Sequence, residues 1–117
     1  MILETLMRNA ALEAVFDNAD SGTLVFHTSA HAEVATCTFG ATAFAAASGG
    51  QINANAITKD SSTTAGTIEH AHVMDGVTEL CELSCGVSSS EINLTSLVFA
   101  AGEELSITSL IITMPAS

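Results

Sequence analysis

From Gly22 onward the chain is cut into short runs of Thr, Ser, Val, Ile and Ala by Gly, Ser, Asn or Asp, with breaks roughly every 8–12 residues. That rhythm leaves little room for anything but β structure. A helix needs a longer unbroken run, and a parallel sheet needs crossover helices between its strands. Strands are expected near residues 23–28, 32–39, 41–47, 51–58, 65–74, 77–85, 91–99 and 104–114. Alternation is clearest near the end. Leu105, Ile107, Ser109 and Ile111 fall on one face, with Ser106, Thr108, Leu110 and Ile112 on the other. Ile92, Leu94 and Ser96 lie opposite Asn93 and Thr95 in the same way. Turns are expected at Ser48-Gly49-Gly50, Asp75-Gly76, Ser88-Ser89-Ser90 and Ala101-Gly102-Glu103, and Pro115 ends the last strand. The fold class read from this pattern is all-β: an antiparallel β-sandwich or jelly roll of about eight short strands.

One helix precedes the strands. Over residues 2–17, Leu3, Leu6, Met7, Ala10 and Ala14 recur at three- and four-residue steps, with Glu4, Arg8, Asn9 and Glu13 opposite. Asp17-Asn18-Ala19-Asp20-Ser21-Gly22 stops it with turn formers. An amphipathic helix this short is marginal alone, so its apolar stripe should cover something, either the domain's own sheet or a neighbouring protein. The division expected is residues 1–21 as helix and turn, an anchoring arm, and 22–117 as the β domain.

At 117 residues, area scaling allows about two-thirds of the surface to be buried, enough for one core without staples. With five Phe and no Trp or Tyr, that core packs on Ala, Val, Ile and Leu and must be thin. Thirteen acidic side chains stand against two basic ones, Arg8 and Lys59, for a formal charge of −11. Phosphate neutralisation needs Lys and Arg, so nucleic acid and anionic membrane surfaces are excluded as partners. Copies at this charge repel one another unless apolar or main-chain contacts overcome it. No secretory signal and no membrane-spanning run is visible, which points to a soluble chain made in a reducing cytoplasm.

Chemistry-bearing residues are few. His70-Ala71-His72 places two imidazoles on one strand face. With His27 or His31 from another strand they would offer ligands to zinc or nickel. The plainer alternative is ordinary strand histidines, and no metal or cofactor is assigned. Glu69 would point to the other face. Cys37, Cys81 and Cys85 are an odd number. Cys81 and Cys85 on a regular strand lie about 13 Å apart, beyond disulfide reach, which leaves Cys37 facing either across strands. Glu79, Glu82, Glu103 and Glu104 read as a solvated charged rim. No nucleophile elbow and no phosphate loop occurs. No catalytic residues are assigned, and the chain is read as a non-enzyme.

The stretch 41–58, ATAFAAASGGQINANAIT, and the ending 106–117, SITSLIITMPAS, together with Arg8-Asn9-Ala10-Ala11-Leu12, resemble small virion proteins of tailed bacteriophages. These are the capsid decoration, or cement, proteins of β-sandwich or jelly-roll type. The resemblance implies a structural protein on the capsid surface that bridges adjacent major capsid proteins as a small symmetric oligomer, a trimer. It carries no catalytic residues to transfer. Leu3, Leu6, Met7 and Ala10 are then the expected capsid-facing anchor. One departure is Ile68-Glu69-His70-Ala71-His72-Val73-Met74, where an aromatic- and arginine-bearing strand would be expected. The rival readings are a fibre or tail-associated module binding a receptor or carbohydrate, weakened by the lack of Trp and Tyr, and a metalloprotein built on His27, His31, His70 and His72.

Overall fold

The computed structural model describes residues 4–88, 90–107 and 109–114. Leu3 of the expected anchor, Ser89 of the serine turn, Thr108 of the alternating run and the Pro115 stop lie outside the described residues. Helix α1 spans Thr5–Phe16 and runs into a 3₁₀ turn at Asp17–Ala19. Ten strands follow among the described residues: β1 Thr23–His27, β2 Glu33–Phe39, β3 Gln51–Asn53, β4 Ile57–Thr58, β5 Gly66–Thr67, β6 His70–Asp75, β7 Thr78–Gly86, β8 Ile92–Asn93, β9 Val98–Phe99 and β10 Ile111–Thr113. The chain is all-β with an N-terminal helix. Its main element is a curled six-stranded sheet in the order β4-β2-β1-β6-β7-β8, with two-stranded ribbons β3/β10 and β5/β9 beside it. The sheet is mixed, because β8 runs parallel to β7. The purely antiparallel expectation fails at that edge.

Period-2 patterning sorts the sheet into two faces. Leu24 and Phe26 of β1, Cys37 of β2, Ala71 and Val73 of β6 and Leu83 of β7 are buried on the core side. Leu12, Phe16 and Ala19 join them from the N-terminal segment, so helix and sheet share one core. Phe44 is the hub of its aromatic part, with ring centroids 4.9 Å from Phe16 and 5.4 Å from Phe39.

Of the two surfaces open to the helix's apolar stripe, the domain's own sheet is not the one it covers. Leu12 and Phe16 are buried, while Leu6, Met7, Ala10 and Ala14 remain exposed. The reason lies in the segment facing it. The Glu13 carboxylate accepts from the Ala47 N–H at 3.0 Å, and Asn9 Oδ1 accepts from the Gly50 N–H at 2.8 Å. Backbone amides outside a ladder need acceptors, and the helix's polar residues supply them.

The same bonds explain why 41–47 is not a strand. Ala43 N–H is taken by Asp20 at 2.8 Å, and only Phe44 bridges Ala54. Elsewhere long expected strands split where the chain changes neighbour. Residues 51–58 divide into β3 and β4, 65–74 into β5 and β6, and 91–99 into β8 and β9. In 104–114, Leu105 exchanges backbone hydrogen bonds with Asp60, whereas β10 pairs with β3. The inward residues are Leu105 and Ile107, then Leu110 and Ile112, so the expected single alternation slips by one.

All three cysteines are free. Cys37 on β2 is separated from β7 by β1 and β6, roughly 14 Å at ordinary strand spacing, so neither cross-strand pairing occurs. Burial pushes the Cys37 and Cys81 thiols up to about 11 and Cys85 up to about 12. These are inert apolar residues at neutral pH.

Candidate functional site

The sheet face opposite the core carries the chain's four histidines. On β6, His70 and His72 share that face, as their spacing requires. Antiparallel pairing sets His27 of β1 directly across from His70 and Val25 across from His72. The β1–β2 turn then brings in His31. Thr28 organises that turn, its Oγ1 accepting from Ala30 and Ala32 N–H at 3.3 and 3.2 Å. His31 takes a left-handed φ of +64°, a conformation that costs a side chain modestly. The four rings form one cluster. Centroid separations are 4.8 Å for His27–His72 and His31–His70, 4.9 Å for His70–His72, 5.6 Å for His27–His70, and 6.1 and 6.2 Å for His31 to His72 and His27.

Carboxylates rim the cluster. His72, whose side chain is 12% exposed, has Nε2 3.2 Å from Glu82 Oε1 and Nδ1 3.7 Å from Glu79 Oε2. Glu33 stands opposite His27 in the β1–β2 register. Both Glu79 and Glu82 are exposed, as a charged rim would be, yet they also bracket His72. Glu69 stays out of the cluster, donating its backbone N–H to the His27 carbonyl at 2.9 Å. His70 faces Ser84 across β6 and β7, but that hydroxyl donates to Glu91 Oε1 at 3.2 Å and accepts from the Glu91 N–H at 3.0 Å. The Ser84 hydroxyl is thus engaged with Glu91 rather than with His70.

Two ring nitrogens are left unsatisfied. His70 is 8% exposed, and its Nε2 has no hydrogen-bond partner among the described residues; neither has His27 Nδ1. Burial, followed by the nearby His72 and His70, lowers the His27 pKa below the ordinary 6.5, against an opposing pull from Glu33. The unfolded chain then binds that proton more readily than the folded one. Stability from this group is full above pH 6.5, falls as pH drops through that value, and levels off below the folded-state pKa. Urea midpoints between about pH 7.5 and 5 should fall more steeply for the wild type than for His27→Gln. Parallel pH profiles for the two chains would show that this shift is not sensed.

Only part of this assembly could be read in advance. The H-x-H pair and strand alternation place His70 and His72 together. Counted outward from the Asp75↔Thr78 pair, a regular hairpin would put Cys81 opposite His72; a bulge between Val73 and Met74 shifts the register by one and brings Glu82 there instead. Nothing local places His27 or His31, because the β1–β6 pairing joins segments far apart in sequence. Of the expected anchor, Leu6 and Met7 are 73% and 51% exposed and Ala10 is also exposed. Among the described residues no helix is long and apolar enough to cross a membrane.

What these features define is an acidic, strand-rich domain with a histidine cluster on one sheet face and an uncovered apolar helix surface. No protein-family model, no curated protein and no solved structure matches the chain.

Proposed function

We propose that this chain is a non-enzymatic structural protein of a tailed-phage virion, a decoration protein that docks on the assembled capsid and bridges adjacent major capsid proteins. The observation that carries the reading is the orientation of α1. Its polar side and Leu12 and Phe16 hold it to the β domain, while Leu6, Met7, Ala10 and Ala14 stay in solvent. An apolar stripe uncovered on a rigidly seated helix suits helix-in-groove docking. Both basic residues are engaged within the chain. Arg8 Nη2 donates to Thr5 Oγ1 at 2.9 Å and Lys59 pairs with Glu104 at 2.8 Å. The partner is therefore a protein surface rather than a polyanion, and the capsid is the occupant that the sequence resemblance selects.

On this reading the six-stranded sheet is one layer of a sandwich or jelly roll, and the short ribbons contribute to the other. Copies form a trimer at three-fold positions of the shell. A protein that binds only the assembled lattice stabilises it by mass action. Deleting the helix is a poor test, since Leu12 and Phe16 belong to the core. Particles should instead be assembled with wild-type chain or with a Leu6→Ser, Met7→Ser double variant, and occupancy read by quantitative mass spectrometry of purified particles. The variant should fold with wild-type stability, within about 0.5 kcal/mol, and be lost from the particles. Equal occupancy would remove α1 as the anchor, and absence of the wild-type chain from particles would remove the decoration reading.

A further inference from the structure

We propose that His27, His31, His70 and His72 form a binding site for one divalent transition ion of the zinc class. The inference is independent of capsid docking and replaces the initial expectation of no metal. Ligand nitrogens of His27, His70 and His72 lie within 4.8 Å of one another. Around a tetrahedral zinc the nitrogens stand about 3.4 Å apart. Closing the shell thus asks about 1 Å of inward movement, within reach of ring rotation on a fixed backbone. His31 would take the fourth position: its ring sits 4.8 Å from His70 but 6.1 and 6.2 Å from His72 and His27, so the exposed turn has to carry it further inward than the other three.

Three observations point to a ligand rather than to a stack of packed rings. First, His70 is more than nine-tenths buried and keeps an unpartnered Nε2, and His27 Nδ1 is likewise unpaired. A buried polar nitrogen without a partner is uncommon, and an ion supplies the missing one. Secondly, the exposed turn holds His31 at a positive φ where glycine would be at ease. Thirdly, Glu79 and Glu82 flank the two nitrogens of His72. One carboxylate can orient the ring while the other nitrogen turns to the metal. His72, Glu79 and Glu82 also meet ligand spacing as a second group, but they share His72 and so form the rim of the same site. Imidazole donors without thiolates suit zinc, nickel and copper over magnesium or calcium. A metal here would staple the β1–β2 turn to β6 on the side of the sheet that the thin core does not reach.

The experiment uses the untagged full-length chain, stripped with chelator, then titrated with zinc chloride by calorimetry and with cobalt chloride by visible absorption. One zinc per chain, a raised Tm and the intense visible bands of tetrahedral cobalt are expected. His72→Ala and His70→Ala should abolish all three. His70 is buried, so its variant is read only if its circular dichroism is native; His31→Gly carries the test otherwise. Removing the positive-φ side chain should leave the metal-free Tm unchanged or higher while weakening zinc binding about tenfold or more. The absence of zinc binding by the wild type would overturn the proposal. So would several weak zinc ions insensitive to these variants, or an unaltered affinity in His31→Gly.

Discussion

Replacing Gly22 with alanine should cost this domain more than about 3 kcal/mol, a large share of the 5–15 kcal/mol typical of a single domain. Gly22 is buried where the N-terminal segment enters β1. Its N–H donates to the Ala19 carbonyl at 2.8 Å and its carbonyl accepts from Phe39 N–H at 2.9 Å. A Cβ at this position would overlap the Met74 carbonyl oxygen and lie 2.9 Å from that of Ala19. Both obstacles are backbone and cannot rotate away. Relief requires pulling the start of β1 from the end of β6, where Thr23 pairs with Met74. Gly40→Ala is the control, since its Cβ would meet nothing closer than the Ala56 carbonyl at 3.9 Å. Urea unfolding followed by circular dichroism should show Gly22→Ala largely unfolded or far less stable, with Gly40→Ala close to wild type. Equal midpoints for the two variants would mean that β1 and β6 do not approach as described.

Phe16→Ala should cost about 3–5 kcal/mol, the range for emptying an aromatic core site. Phe16 is 5% exposed, and its ring packs 4.9 Å from Phe44, which in turn meets Phe39 of β2. Truncation leaves a cavity between helix and sheet and strips Phe44 of half its aromatic contacts. The result separates two views of the N-terminal segment. A detachable arm would tolerate the change within about 0.5 kcal/mol, as surface substitutions do, whereas a helix that completes the core would not. The same measurement on Leu6→Ala, one turn and more before Leu12 on the solvent side, should show almost no loss. A small effect of Phe16→Ala would restore the independent-arm view and make deletion of the helix a clean docking test.

Legibility varied with the range of the interaction involved. The helix and the strands β1, β2 and β7 coincide closely with periodicity and turn residues, because each is decided by neighbours a few positions away. The segment 41–47 misled, since its strand-like composition is overridden by acceptors at Asp20 and Glu13. Chain 104–114 misled for a similar reason: two partners, Asp60 and β3, demand opposite phases of one alternating run.

The sequence by itself determined an acidic β-rich chain headed by one helix, and put His70 and His72 side by side, because a two-residue strand period is a local property. Tertiary structure alone decided that the helix turns Leu12, Phe16, Asn9 and Glu13 inward, and that His27 and His31 join the pair on β6. Both outcomes depend on which distant backbone groups still lack a hydrogen-bonding partner once the sheet has formed, and periodicity carries no information about that.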